Sequence, residues 1–150
     1  MDELKGWDQI KLLTVAVDRL KTWARPGLLC IGDAAHAMSP VGGVGINLAI
    51  QDAVAAANAL ARPLTAGTLT FADLQLVQAD RYRPTALMQT FQLTIQKRVI
   101  GAVLGSTAIP RAPWPVKLFN ALPILRRIPA RVLGMGFRME HVRTPDIHKT

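Results

Sequence analysis

The residues best placed to do chemistry lie in one stretch, GDAAHAMSPVGGVGIN, from Gly32 to Asn47, with Asp52 shortly beyond it. Asp33 follows a short apolar run, Leu28 to Ile31. A carboxylate there stands just outside the C-terminal end of a strand, where open α/β sheets bind ligands, and it can accept a hydrogen bond from a hydroxyl. A glycine-rich turn then leads into an alanine-rich segment. In a helix starting there, the first amides, near Gly45, Ile46 and Asn47, have no intrahelical partner and point outward at the positive end of the dipole. Such a terminus suits an anion or a polarised carbonyl. Pro40 fixes the shape of the intervening loop, and Gly42 and Gly43 let a flat ligand approach the backbone. Residue chemistry alone therefore reads as a polar ligand held between a strand end and a helix N-terminus.

Other chemistries find less support. His36 has no second His, Cys or clustered carboxylate at triad or metal-ligand spacing, so it is expected to be a structural, hydrogen-bonded histidine. Cys30, inside the apolar run, reads as an inert core residue. The GGVG run is not the dinucleotide fingerprint G-x-G-x-x-G, and no P-loop lysine follows it. Asp52 is expected to pin the helix to the motif loop through its side chain. No catalytic residue and no metal ligand is assigned.

The pattern resembles the second FAD-binding sequence of the para-hydroxybenzoate hydroxylase family of FAD-dependent monooxygenases: G-D-A-A-H, then P, then G-x-G-x-N, then D. Here Gly32, Asp33, Ala34, Ala35, His36, Pro40, Gly42, Gly45, Asn47 and Asp52 stand in the matching places. The resemblance implies that Asp33 bonds the ribityl chain of FAD, that the amides of Ile46 and Asn47 bond the pyrimidine edge of the isoalloxazine, and that Pro40 lies beside the ring. With Gly32, Gly42 and Gly45 these form the expected cofactor-binding set. The family reaction reduces FAD with NADH or NADPH and inserts oxygen into a small aromatic or related substrate. The WDQIKLL start and the FRMEHVR ending also look familial, so the resemblance covers nearly the whole chain. The G-x-G-x-x-G unit that binds the ADP half of FAD is missing, so the chain is expected to be a C-terminal part of such an enzyme, incomplete and inactive alone. Its N-terminal half would be another chain or a lost part of the frame.

The elements that position this segment are legible in outline. Ile10 to Asp18 reads as a strand and Leu28 to Ile31 as a short buried parallel strand. Gly45 to Leu60 reads as a helix with Ile46, Ala49, Ala53, Ala57 and Leu60 on its apolar stripe, closed by Arg62 and Pro63. Thr70 to Asp73 matches the capping box, predicting a second helix from Phe71 to about Tyr82. Pro84 then starts a third helix or a kinked continuation, with an apolar seam at Met88, Phe91, Ile95, Val99 and Ala102. Residues 109–115, with three prolines, form a linker. Val116 to Phe137 reads as short helical pieces among Pro123, Pro129, Gly134 and Gly136. The expected fold is an α/β fragment, mostly α: two short strands left from the FAD and substrate sheets, then a helix-rich remainder. The division is residues 1–108, the C-terminal portion of the FAD-binding domain with its motif at 28–52, and residues 109–150, the Pro-rich linker and basic helical tail.

Charge and composition bound the partners. The formal charge of +8 is uneven: residues 1–96 hold 8 Lys and Arg against 8 Asp and Glu, while residues 97–150 hold 10 against 2. A basic tail with interleaved apolar residues suits acidic lipid headgroups, nucleic acid, an acidic protein face or a solvated rim around a domain contact. The last is preferred, and nucleic acid is not expected as a partner. No stretch reaches the roughly 20 apolar residues of a membrane span. One cysteine and a polar, acidic start predict a cytoplasmic protein, with peripheral membrane contact through the tail left open. The rival function is accordingly a membrane-surface or protein-interaction module built on WPVKLFNALPILRRIPARVLGMGFR.

Overall fold

The computed structural model describes residues 16–40, 43–97 and 127–144. Its elements are β1 (Ala24–Arg25), β2 (Leu28–Leu29), a 3-10 turn (Gly32–Ala34), α1 (Val44–Thr65), α2 (Phe71–Ile95) and α3 (Arg127–Met135). The fold is mostly helical with two short strands, as expected, but the strands pair differently. Pro26 and Gly27 form a tight turn, with Gly27 at φ 76°, the left-handed conformation a type II turn requires after proline. The chain doubles back, pairing Ala24 with Leu29 and Arg25 with Leu28 antiparallel. Leu28 to Ile31 is therefore one arm of a small hairpin rather than a buried parallel strand, and Leu28 is 55% exposed. Most of the strand expected at Ile10 to Asp18 lies outside the described residues, and its described end, from Ala16, is not in a strand.

α1 begins at Gly43, whose φ of 63° makes it a left-handed N-cap with no capping side chain. The helix continues through Pro63 to Thr65, past the closure expected at Arg62 and Pro63. The stop is supplied by Gly67 at φ 68°. Its N–H donates to Leu64 O and that of Thr68 donates to Pro63 O, the paired bonds of a Schellman cap. α2 starts as the sequence predicts. Thr70 Oγ1 accepts from Asp73 N, and the Asp73 carboxylate accepts from Thr70 N. The Thr70 hydroxyl and amide hold the Asp73 carboxyl below its ordinary value. Thr70→Ala should lower Tm by a few degrees, read in a thermal melt, because it removes one cap bond from an exposed helix end.

Pro84 does not end α2, which runs unbroken to Ile95. Residues on both sides of the proline are buried against α1, and that packing outweighs the lost backbone donor. The two helices run antiparallel. Val44 and Leu48, early in α1, pack with Met88, late in α2, while Leu60 packs with Leu74 and Val77 near the start of α2. Met88 and Phe91 of the expected seam lie in this interface, whereas Val99, Ala102, the 109–115 linker and residues 116–126 lie outside the described residues.

The buried stripe of α1 is Val44, Leu48, Gln51, Asp52, Ala55 and Leu60. This corrects the predicted stripe: Ile46 is 72% exposed, and Ala53 and Ala57 also face outward. Polarity misleads here because a charged residue, Asp52, occupies the buried face. By length and composition α1 would suffice to cross a membrane, contrary to the expectation that no stretch would. Its Asp52 is buried and ion-paired with Arg81 on the face packed against α2.

α3 has Pro129 in its first turn, where proline is tolerated, and ends at Gly136, at φ 75°. Val132 and Leu133 rest on the cluster of Val44, Leu48 and Met88. The chain then runs back along the helix pair. Asn58 reads its backbone twice, donating to His141 O and accepting from Arg143 N, each at 2.8 Å.

Candidate functional site

The site grows from how α1 meets the turn before it. Gly32 sits at φ 58° and is buried, and a Cβ there would lie 3.1 Å from the Ala49 Cβ. Only glycine satisfies both conditions cheaply: the left-handed backbone and the close approach to α1. Its carbonyl accepts from the amides of Ala35 and His36, each at 2.9 Å, closing the 3-10 turn. The turn leaves Asp33 exposed. Its side chain shares a hollow of about 630 Å³ with Met38, Ser39, Pro40, Gly43, Gly45, Ile46, Ala49, Ile50 and Ala53.

One wall of this hollow is the start of α1. The first-turn amides have no intrahelical partner, and among the described residues no side chain caps them. Gly45 keeps the wall low: a Cβ there would lie 3.3 Å from Met38 Cβ and 4.0 Å from Asp33 Oδ1. Gly45 has no positive φ, so its glycine serves space alone, and the left-handed position at the helix start is Gly43. The apolar residues that α1 leaves outside its packed face, Ile46, Ala49, Ile50 and Ala53, line the same wall.

Of the predicted site residues, Asp33, Pro40, Gly45 and Ile46 therefore come together around one hollow. Gly32 lies behind it as the buried turn residue. Asn47 is half-buried and does not line it, and Gly42 lies outside the described residues.

Behind the turn is a buried polar layer. Asp52, fully buried, accepts from Gly32 N at 3.0 Å and from His36 Nε2 at 2.5 Å through Oδ2, and from Arg81 Nε at 2.9 Å through Oδ1. An ionised carboxylate only accepts, so the His36 proton facing it is on Nε2. Burial alone would raise the Asp52 carboxyl, but the hydrogen bonds from His36, Arg81 and Gly32 and the charge of His36 together hold it below its ordinary value. The expected structural roles of His36 and Asp52 match this geometry. Cys30 is a partly buried free thiol beside β2, its amide donating to Trp23 O.

Arg81 was not foreseen. It is fully buried and also donates to Gln51 Oε1 and Arg138 O, with Glu140 at 3.9 Å. Gln89 and Gln92 were missed as well. They donate to the carbonyls of Ala37 and Ser39 and fasten the motif loop to α2. The signal for Arg81 and Gln92 was spacing: Leu74, Val77, Arg81, Met88 and Gln92 recur at three, four and seven residues along one face of α2.

Two other hollows, of about 570 and 770 Å³, lie away from the motif. The smaller holds Asp80, Arg138, Glu140 and Arg143, whose charges pair with one another.

Residues 4–74 match the FAD binding domain family. The chain is 37% identical over 130 residues to 6-methylpretetramide 4-monooxygenase from Streptomyces rimosus, covering 87% of this chain and 31% of that protein. It is 30% identical over 130 residues to the dual O-methyltransferase/FAD-dependent monooxygenase elcB of Phaeosphaeria nodorum, covering 81% and 14%. Over 54 residues it is 41% identical to the FAD-dependent monooxygenase ltmM of Epichloe festucae, covering 36% and 11%. The chain thus spans about a third or less of the length of these relatives.

Proposed function

The chain belongs to the FAD-binding family of FAD-dependent monooxygenases, and from that premise we propose that the hollow between the Gly32–Pro40 loop and the start of α1 takes the ribityl and isoalloxazine half of FAD. One observation carries the reading: Asp33 and the uncapped α1 terminus face the same space. Asp33 would accept from a ribityl hydroxyl. The amides at Gly45 and Ile46, with the positive helix end, would meet the pyrimidine edge and favour negative charge there by up to about 2 kcal/mol in a partly buried geometry. Ile46, Ala49 and Pro40 offer an apolar wall to a flat ring. The low wall at Gly45 also fits, since any side chain there would stand between Met38 and Asp33.

When bound, FAD supplies the redox and oxygen chemistry, and this chain's residues bind, orient and shield it. In the complete enzyme the reductant would be NADH or NADPH and the substrate a small aromatic or related molecule. Residues outside this chain would hold the adenine and pyrophosphate, so the chain alone would bind FAD weakly and be inactive. A cytoplasmic location accompanies this reading. The rival membrane-surface reading loses support at the described end of the tail, where Arg138 pairs with Asp80, and Arg143 with Glu140.

Asp33→Ala tests the assignment. It removes one charge-assisted hydrogen bond and, in the reconstituted or full-length enzyme, should weaken FAD by roughly 10- to 150-fold in a titration of the apoprotein. Melting should hardly change, because the side chain is exposed. Equal affinities for variant and parent would place the ribityl contact elsewhere.

A further inference from the structure

We infer that Arg81 and Asp52 are positioning residues for the flavin: their buried ion pair fixes the Gly32–Asp33 turn through the Gly32 N–H, and so fixes where Asp33 presents its carboxylate. The inference rests on the reading that Asp33 faces the flavin. Neither Arg81 nor Asp52 lines the hollow. Their effect on it runs through Gly32, which is gripped at both ends, its N–H by Asp52 and its carbonyl by the amides of Ala35 and His36. Asp33 is the next residue, so its direction follows from that grip. Asp52 cannot keep the bond by itself, because a carboxylate without exposure needs a compensating charge. Arg81 supplies it from α2 beside His36, and the rest of its guanidinium is engaged by Gln51 and the Arg138 carbonyl. Those contacts hold its Nε aimed at Asp52.

A merely structural ion pair predicts that stability and flavin affinity move together. A positioning pair predicts that they part, according to whether an acceptor for the Gly32 N–H remains. Two double variants of the 150-residue chain separate these cases. Asp52→Asn with Arg81→Gln removes both charges and keeps an acceptor, whereas Asp52→Val with Arg81→Met removes both charges and the acceptor. Amide exchange is read at Gly32 and, for reference, at Leu60 and Val77 in the other apolar cluster, with FAD titrations on the same variants in the complete enzyme.

The polar pair should leave Gly32 exchange and FAD affinity within about threefold of the parent. The apolar pair should speed Gly32 exchange and weaken FAD by at least about tenfold, the loss of one buried hydrogen bond to a charge, with Leu60 and Val77 unchanged. Gly32 exchange that is equal in the two variants, or that changes only together with Leu60 and Val77, overturns the inference, with or without flavin. If the apolar pair does not fold, Asp52→Ala with Arg81→Gln, which also removes both charges and the acceptor but keeps partners for Gln51 and the Arg138 carbonyl, takes its place. Faster exchange confined to Gly32 supports the inference, and unchanged exchange overturns it. If Gly32 behaves as expected but FAD affinity does not change, Asp33→Ala assigns the failure. A weakened Asp33→Ala means the pair does not position Asp33, and an unweakened one means the hollow is not the flavin site.

Discussion

Arg81→Met alone should destabilise the protein by about 3 to 5 kcal/mol, as breaking one side of a buried pair does, since it leaves the Asp52 carboxylate buried without the guanidinium it is paired with. Against a total stability of about 5 to 15 kcal/mol for a typical domain, such a loss moves the melt by tens of degrees or abolishes it. The sign of its pH dependence follows from Asp52. In the parent, Asp52 is held below its unfolded value of 3.8, so its contribution is present above that pH and is lost as pH falls through the lower folded value. In the variant the lowering from Arg81 is gone while burial still raises the carboxyl, so protonation relieves the unpaired charge. The gap in Tm between parent and variant should therefore narrow as pH falls below about 4. His36 and Gly32 still face the carboxylate in both proteins, and Glu140 stays beside position 81, so they do not create the difference. Paired melts across that range check both statements. A loss under about 1 kcal/mol would mean that Asp52 is stabilised chiefly by His36 and Gly32.

What the sequence made legible was local. The Thr70 cap, the Pro26-Gly27 turn and the helical stretch after the glycines are each written in adjacent residues, and each appears in the structure. The motif likewise pointed to Asp33, Pro40, Gly45 and Ile46, which line one hollow. Most of what failed depended on partners far along the chain. The buried face of α1 was misplaced because an apolar stripe leaves out charged Asp52, which is buried once Arg81, 29 residues on, is brought against it. Pro84 leaves open a third helix or a continuation of the second, and packing on both sides decides for the continuation. The run Leu28 to Ile31 looks like a buried parallel strand, yet β1 pairs with it through the two-residue turn. For Asp52 and Pro84 a long-range contact outweighed a local preference, whereas the partner of Leu28 and Leu29 is one tight turn away.

Gly32 and Gly43 separate the two reasons a glycine can be required, and replacing them should have very different effects. Both have positive φ, 58° and 63°, so any L-residue at either pays about 1 to 2 kcal/mol for the left-handed conformation. At Gly43 that is the whole cost, because a Cβ there meets nothing within 4 Å. At Gly32 the Cβ falls 3.1 Å from Ala49 Cβ and 3.6 Å from its Cα, in the backbone of α1. Neither can rotate away. The turn must move off the helix, which strains or breaks the Gly32 N–H bond to Asp52, and overpacking of this kind adds about 1 to 3 kcal/mol. Gly32→Ala should thus cost about 2 to 5 kcal/mol, against about 1 to 2 for Gly43→Ala. Gly43→Asn should cost less still, since asparagine tolerates the left-handed region. Thermal or urea unfolding of the three variants gives the comparison. If Gly32→Ala and Gly43→Ala are destabilised equally, the close approach of the turn to Ala49 is relieved at no cost, and the grip of Asp52 on the turn is looser than its 3.0 Å bond to Gly32 implies.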